Sequence, residues 1–118
     1  MSENTTPSAQ HQQLRAQLQQ LEAALRDAGL WSALPPSEQA MASTMPFMFD
    51  TLQIEAWLQW VFVPRLQALM DGGLPLPGEC SVQPLAEHQW NERALERHHA
   101  ALRVLEQIDA TLSGRAEG

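Results

Sequence analysis

The feature that most constrains the fold is the segment 51–70, in which apolar residues point in almost every direction around a helix. Its apolar residues are Leu52, Ile54, Trp57, Leu58, Trp60, Val61, Phe62, Val63, Leu66, Leu69 and Met70. A helix that is apolar nearly all round is a buried one. We therefore expect this helix to be central, with the other helices packed around it. Pro64 has no amide hydrogen for the Trp60 carbonyl, which predicts a kink near this point.

The flanking segments also have helical patterns. Residues 7–28 form a predicted first helix with a leucine stripe spaced four, three and four residues apart, and Gly29 ends it. The pattern predicts a short helix over 36–42, with Pro36 in its first turn. An extended, apolar-rich connection follows, and the spacing of Asp50 and Gln53 resembles a capping box that starts the central helix at Thr51. A last helix begins near Pro84 and runs to Leu112, either continuous or broken at Asn91. The leucines of the stripe are Leu14, Leu18, Leu21 and Leu25.

These elements predict an all-α protein, a compact bundle of about four helices around a central apolar, Pro-kinked helix. The chain has 118 residues, which suits one domain. We expect residues 1–6 to be disordered, residues 7–113 to form the single domain, and residues 114–118 to be frayed.

Charge and cysteine usage exclude several classes of function. The formal net charge is −7 and every one of the 7 Lys or Arg residues is Arg. This excess of negative charge argues against direct binding to nucleic acid or to an anionic membrane surface. Cys80 is the single cysteine, which rules out an internal disulfide and a cysteine-based zinc site. The polar N-terminus lacks the features of a signal peptide, and no stretch is apolar enough to span a bilayer. We expect a cytoplasmic protein.

The sequence contains one fragment of a metal-site motif. Glu96 and His99 have the E-x-x-H spacing of di-iron helix bundles, but those sites need a second copy and two further glutamates. The second copy is missing, so we interpret Glu96 and His99 as part of a solvated face. His98 lies at the edge of the apolar face and is expected to be partly buried. No nucleophile, phosphate-binding or dinucleotide motif occurs, and we predict a non-enzyme without metal or cofactor.

Arg65 is a cation placed within an apolar face. At about 100° per residue it lies near 20° from Ile54, between Leu58 and Val61. A buried guanidinium needs a partner, and Glu22 and Asp109 are candidates. Alternatively, Arg65 lies near an end of the bundle and extends to water.

The central block resembles the YqcC-like family, a group of small bacterial cytosolic proteins of unknown function. The resemblance rests on S-T-M-P-F-M-F-D-T-L from Ser43 to Leu52, followed by E-A-W-L-Q-W-V-F-V-P-R-L and then L-P-L-P-G, ending at Gly78. It implies a helical bundle and supplies no catalytic residues. Some family members carry the label tRNA pseudouridine synthase C. That activity requires a catalytic aspartate on a large α/β domain, for which this chain has neither the length nor the strands.

Three functions follow as hypotheses. The first is a non-catalytic module or scaffold that binds a protein partner. The second is an accessory to tRNA modification that acts through a pseudouridine synthase. The third is an anion or small-molecule binder that uses Arg65, with aromatic residues as a pocket wall. The leucine stripe of the first helix is suited either to packing within a monomer or to the interface of a homodimer. The residues of the expected partner or ligand surface are Pro46, Phe47, Phe49, Asp50, Trp57, Trp60 and Arg65.

Overall fold

The computed structural model describes residues 9–78, 81–93 and 97–113, and the regular structure in these ranges is helical. The prediction of an all-α fold is therefore confirmed. The expectations for residues 1–6, Cys80, Glu96 and 114–118 concern residues outside these ranges. The helices are α1 (Ala9–Asp27), α2 (Glu38–Met41), α3 in three consecutive segments (Ile54–Trp57, Leu58–Phe62 and Val63–Asp71), α4 (Val82–Glu92) and α5 (His99–Leu112), with a 3₁₀ turn at Pro46–Met48.

The leucine stripe of α1 is buried within the chain. Its four leucines are at most 2% exposed, and α1 packs mainly on α5. The buried Thr111 hydroxyl donates to Gln17 Oε1 across this seam at 2.9 Å. The helix ends as predicted at Gly29, which has a φ of 77°, and the Leu30 amide returns to the Leu25 carbonyl at 2.8 Å. The stripe is thus used inside the bundle and does not form an open dimer seam.

Helix α3 is the central element, as expected. Buried residues follow one another from Trp57 to Gln59 and from Val61 to Val63, so this part is covered on almost every side. Its second half is exposed on one face, at Pro64, Gln67 and neighbouring positions. Burial of most of its first half makes α3 the axis of the core.

The expected irregularity before Pro64 is a π turn. The segment Leu58–Phe62 is π-helical, and the Val63 amide donates to the Leu58 carbonyl five residues earlier. A π turn holds one more residue than an α turn. The rest of α3 is therefore rotated by about 100° relative to a regular helix.

This rotation corrects the expected position of Arg65. In a regular helix Arg65 would lie within the apolar face, whereas in the structure it is exposed and Leu66, 2% exposed, takes that position. The two proposed acidic partners have other contacts. Glu22 pairs with Arg26, and Asp109 accepts from backbone amides.

Two helices begin later in the chain than predicted. Helix α3 begins at Ile54, and its first amide donates to Gln89 Oε1 of α4 at 3.1 Å. Asp50 does not cap it and accepts instead from the Ser43 hydroxyl. Helix α2 begins at Glu38, after Pro36, because the Ser37 hydroxyl accepts from the third amide of the helix at 3.0 Å. The connection between α2 and α3 is a folded turn and is not extended.

The predicted last helix is two helices. Helix α4 begins at Val82 and ends at Glu92, and Arg97, two residues before α5, has a φ of 63°. The start of α4 is capped from a distance. The buried Asp109 carboxylate of α5 accepts from the Val82 amide at 3.0 Å and from the Gln83 amide at 2.8 Å. This double contact fixes α4 against α5. None of the described helices combines the length and the apolar character needed to cross a bilayer.

Candidate functional site

The predicted surface residues fall into separate parts of the molecule. Phe47 contacts Trp57 edge to face, with ring centroids 4.9 Å apart. Trp57 in turn lies 5.2 Å from Phe62. Trp57 is only 8% exposed, so it belongs to the core and contributes no docking surface.

Trp60 lies at a second place. With Trp31 and Pro64 it lines a groove of about 540 Å³. Its indole Nε1 is buried and has no hydrogen-bond partner among the residues that the structure describes. The guanidinium carbon of Arg26 lies 5.1 Å from the centroid of the Trp31 ring. Arg65 is not among the residues that line this groove, so the expected anion pocket of Arg65 and aromatic walls is not assembled here.

The turn at residues 45–50 is the third place, and its backbone is strained. Phe47 and Met48 have φ values of 55° and 49°. This left-handed conformation costs a residue other than glycine roughly 1–2 kcal/mol. Hydrogen bonds hold the turn, among them the Leu52 amide to the Met48 carbonyl at 2.8 Å and the Thr51 hydroxyl to the Ala40 carbonyl at 2.7 Å. As a result, the Phe49 side chain is directed outward and is 55% exposed.

Phe49 borders an open groove of about 560 Å³ between this turn and α4. We call it the α4 groove. The hydrogen bond from the Ile54 amide to Gln89 joins its two walls. Its lining residues are Phe49, Asp50, Thr51, Leu52, Gln53, Leu85, His88, Gln89, Glu92 and Arg93.

Arg93, at one end of the α4 groove, forms a partly buried ion pair with Glu55. Arg93 donates to both oxygens of Glu55, at 2.8 and 2.7 Å, and the Trp90 indole donates to Glu55 Oε1 at 3.0 Å. Burial by itself raises the pKa of the Glu55 carboxyl. The hydrogen bonds from Arg93 and Trp90 outweigh burial, so the pKa of Glu55 is lower than its usual value. The hydrogen bonds that Arg93 donates to Glu55 raise the pKa of the Arg93 guanidinium. The pairing joins residues 38 positions apart, so no local pattern in the sequence pointed to it.

The groove combines apolar walls with a negative rim. Phe49, Leu52 and Leu85 supply apolar surface, while the carboxylates of Asp50 and Glu92 border it. Both terminal nitrogens of Arg93 donate to the Glu55 carboxylate, which offsets the positive charge of Arg93. Within the described ranges no three His, Cys, Asp or Glu side chains are grouped to hold a metal ion. The arrangement is suited to binding apolar and cationic groups.

Replacing Glu55 by Gln is expected to lower the free energy of unfolding by roughly 2 kcal/mol at neutral pH, because a charge-assisted double hydrogen bond is lost. The folded-state pKa of Glu55 lies below its usual 4.5. Its contribution is therefore present above that pH and is lost as the pH falls through the folded-state value. Denaturant unfolding of the wild type and of Glu55→Gln at pH 7 and pH 3 measures how the difference in unfolding free energy changes with pH. A difference between them that stays constant with pH would contradict the assignment.

Three comparisons place the chain among known proteins. Residues 13–111 match the family DUF446, described as "tRNA pseudouridine synthase C". The chain is 39% identical over 110 residues to "Uncharacterized protein YqcC" of Escherichia coli K12, covering 90% of this chain and 96% of that one. The solution NMR structure of E. coli YqcC superposes with a TM-score of 0.78 at 36% identity, covering 94% of each chain.

Two further relatives differ in length. An "Uncharacterized protein" of Haemophilus influenzae is 40% identical over 80 residues, which are 68% of this chain and 76% of that protein. A protein named "tRNA pseudouridine synthase C" from Pectobacterium carotovorum is 43% identical over 81 residues. Those residues are 69% of this chain but only 22% of the Pectobacterium protein. More than three quarters of that protein therefore lies outside the matched segment.

Proposed function

This chain belongs to the DUF446 family, and we propose that it is a non-catalytic protein-interaction module that binds a partner in the α4 groove. The observation that carries the proposal is the strained turn beside the groove, which leaves Phe49 55% exposed. Backbone strain of this kind persists where the surrounding structure fixes it, and it is concentrated at functional sites. A fixed, exposed aromatic side chain next to a groove is a typical anchor for a partner.

Capture at native expression level tests this proposal. The full chain, tagged and expressed from its own locus, is recovered from cell lysate and its co-purifying proteins are identified. We expect one partner to be enriched reproducibly over an untagged control, and to compete with added untagged chain. Recovery of no reproducible partner would contradict the proposal.

A second candidate function specifies the partner as a tRNA pseudouridine synthase. It is favoured by the Pectobacterium relative, whose name is that of the enzyme and in which the matched segment is only 22% of the protein. Such a composition is consistent with a small module joined to a much larger enzyme. The net charge of −7 opposes direct contact with tRNA, so the module would act through the enzyme.

Co-purification with a separately expressed pseudouridine synthase from the same organism tests this second candidate. We expect a complex that survives size-exclusion chromatography, together with a changed level of tRNA pseudouridine after deletion of the chain. Independent elution of the two proteins combined with unchanged tRNA modification would remove the synthase as the partner. The general interaction proposal would then depend on the capture experiment alone.

A further inference from the structure

We propose that the α4 groove binds a protein segment in which an apolar side chain lies next to Lys or Arg. This inference rests on the proposed interaction function and specifies the chemistry of the partner. The apolar part of the segment contacts Phe49 and Leu85, and its cation lies between the carboxylates of Asp50 and Glu92.

The apolar contact follows from the walls of the groove. Leu52 is buried and closes the groove from behind, while Leu85 is half-buried on α4. Phe49 stands at the edge and remains 55% exposed. An apolar side chain placed between Phe49 and Leu85 would remove exposed apolar surface from water on both partners, which is the main favourable term in such binding.

The cation follows from the balance of charge. Asp50 accepts one hydrogen bond from the Ser43 hydroxyl, and Glu92 lies 3.4 Å from the exposed His88 ring. Arg93 is the cation that lines the groove, and Glu55 neutralises it through two hydrogen bonds. The carboxylates of Asp50 and Glu92 therefore give the rim a net negative charge. Complementary charge steers association and suppresses wrong partners.

The same charges disfavour other occupants. A second copy of the chain has a net charge of −7 and no Lys, so two copies would place like charges together. Nucleic acid is repelled for the same reason. A basic protein segment is the occupant that matches both the apolar walls and the acidic rim.

A displayed library of random twelve-residue peptides, selected against the full folded chain, tests the inference. The groove variant carries Phe49→Ser and Glu92→Lys, both at exposed positions. The matched control carries Leu34→Ser and Glu106→Lys, which change an exposed apolar residue and an exposed carboxylate elsewhere. We expect enriched peptides to combine an apolar residue with Lys or Arg. Their affinity should fall about tenfold or more in the groove variant and stay unchanged in the control.

Each other result overturns the inference and is distinct from failure of the interaction proposal. Enriched peptides without basic residues, or with equal affinity for the groove variant, would exclude this chemistry or this site. Failure to enrich any peptide would exclude a short linear segment, while capture of a whole partner protein could still succeed. Sedimentation showing a dimer that dissociates on Phe49→Ser would assign the groove to a second copy.

Discussion

Replacing Leu66 by Ala is expected to lower the free energy of unfolding by about 3 kcal/mol, whereas Arg65→Ala should change it by no more than about 0.5 kcal/mol. Leu66 is 2% exposed and lies in the core, while Arg65 is exposed. The π turn at Leu58–Phe62 causes this difference between neighbouring residues. Without it, Arg65 would occupy the position within the apolar face.

Urea unfolding of Leu66→Ala, Arg65→Ala and the wild type measures the two losses of unfolding free energy. Each variant acts as the control for the other, because the two residues are adjacent on the same helix. Equal losses, or a larger loss for Arg65→Ala, would show that α3 is a regular helix across residues 58–66. Every residue of α3 after Val63 would then face a direction about 100° away from the one in the structure.

Replacing Asp109 by Ala is also expected to lower the free energy of unfolding by about 3 kcal/mol, because it leaves two amides at the start of α4 without an acceptor. Asp109 is 5% exposed, and its carboxylate accepts from the Val82 and Gln83 amides. Ser81, at the cap position, makes no side-chain cap hydrogen bond. The negative charge also favours the positive end of the helix dipole.

Two variants separate the cap from a general effect of charge. Asp109→Asn keeps the size of the side chain but has one acceptor oxygen, so we expect an intermediate loss. Asp71→Ala removes an exposed carboxylate that pairs with Arg15 on the surface, and the expected loss is below about 1 kcal/mol. A loss for Asp109→Ala as small as that for Asp71→Ala would contradict the assigned cap.

The parts of the fold that were predictable depend on local pattern. The leucines of α1 repeat with helical spacing over several turns, and this pattern predicted both the helix and its buried face. Gly29 marked the end of α1 because a left-handed residue is needed there and glycine adopts that conformation without strain. The continuous apolar character of α3 predicted its central position.

The parts that were not predictable depend on distant contacts. The start of α3 is capped by Gln89, which lies 35 residues from the Ile54 amide. The start of α4 is capped by Asp109, which lies 27 residues from the Val82 amide. The sequence predicts a cap at Asp50, close to the helix, because local caps are the common kind. The proline signalled an irregularity in α3 but did not determine that it would be a π turn.

The candidate site was partly predictable. The run from Pro46 to Asp50 indicated apolar groups outside a helix, and Phe49 and Asp50 do border the α4 groove. Phe47 and Trp57 contact each other instead. The backbone at Phe47 is left-handed, and a phenylalanine gives no sequence signal for this conformation, unlike glycine, Asn or Asp.

The most direct test of the interaction proposal is quantitative capture with three baits at native expression level: wild type, the Phe49→Ser and Glu92→Lys variant, and the Leu34→Ser and Glu106→Lys control. If the α4 groove is the docking site, wild type and control recover the same partner in equal amounts, and the groove variant recovers about a tenth or less. Equal recovery by all three folded baits, or no partner with any of them, would contradict a docking function for this groove.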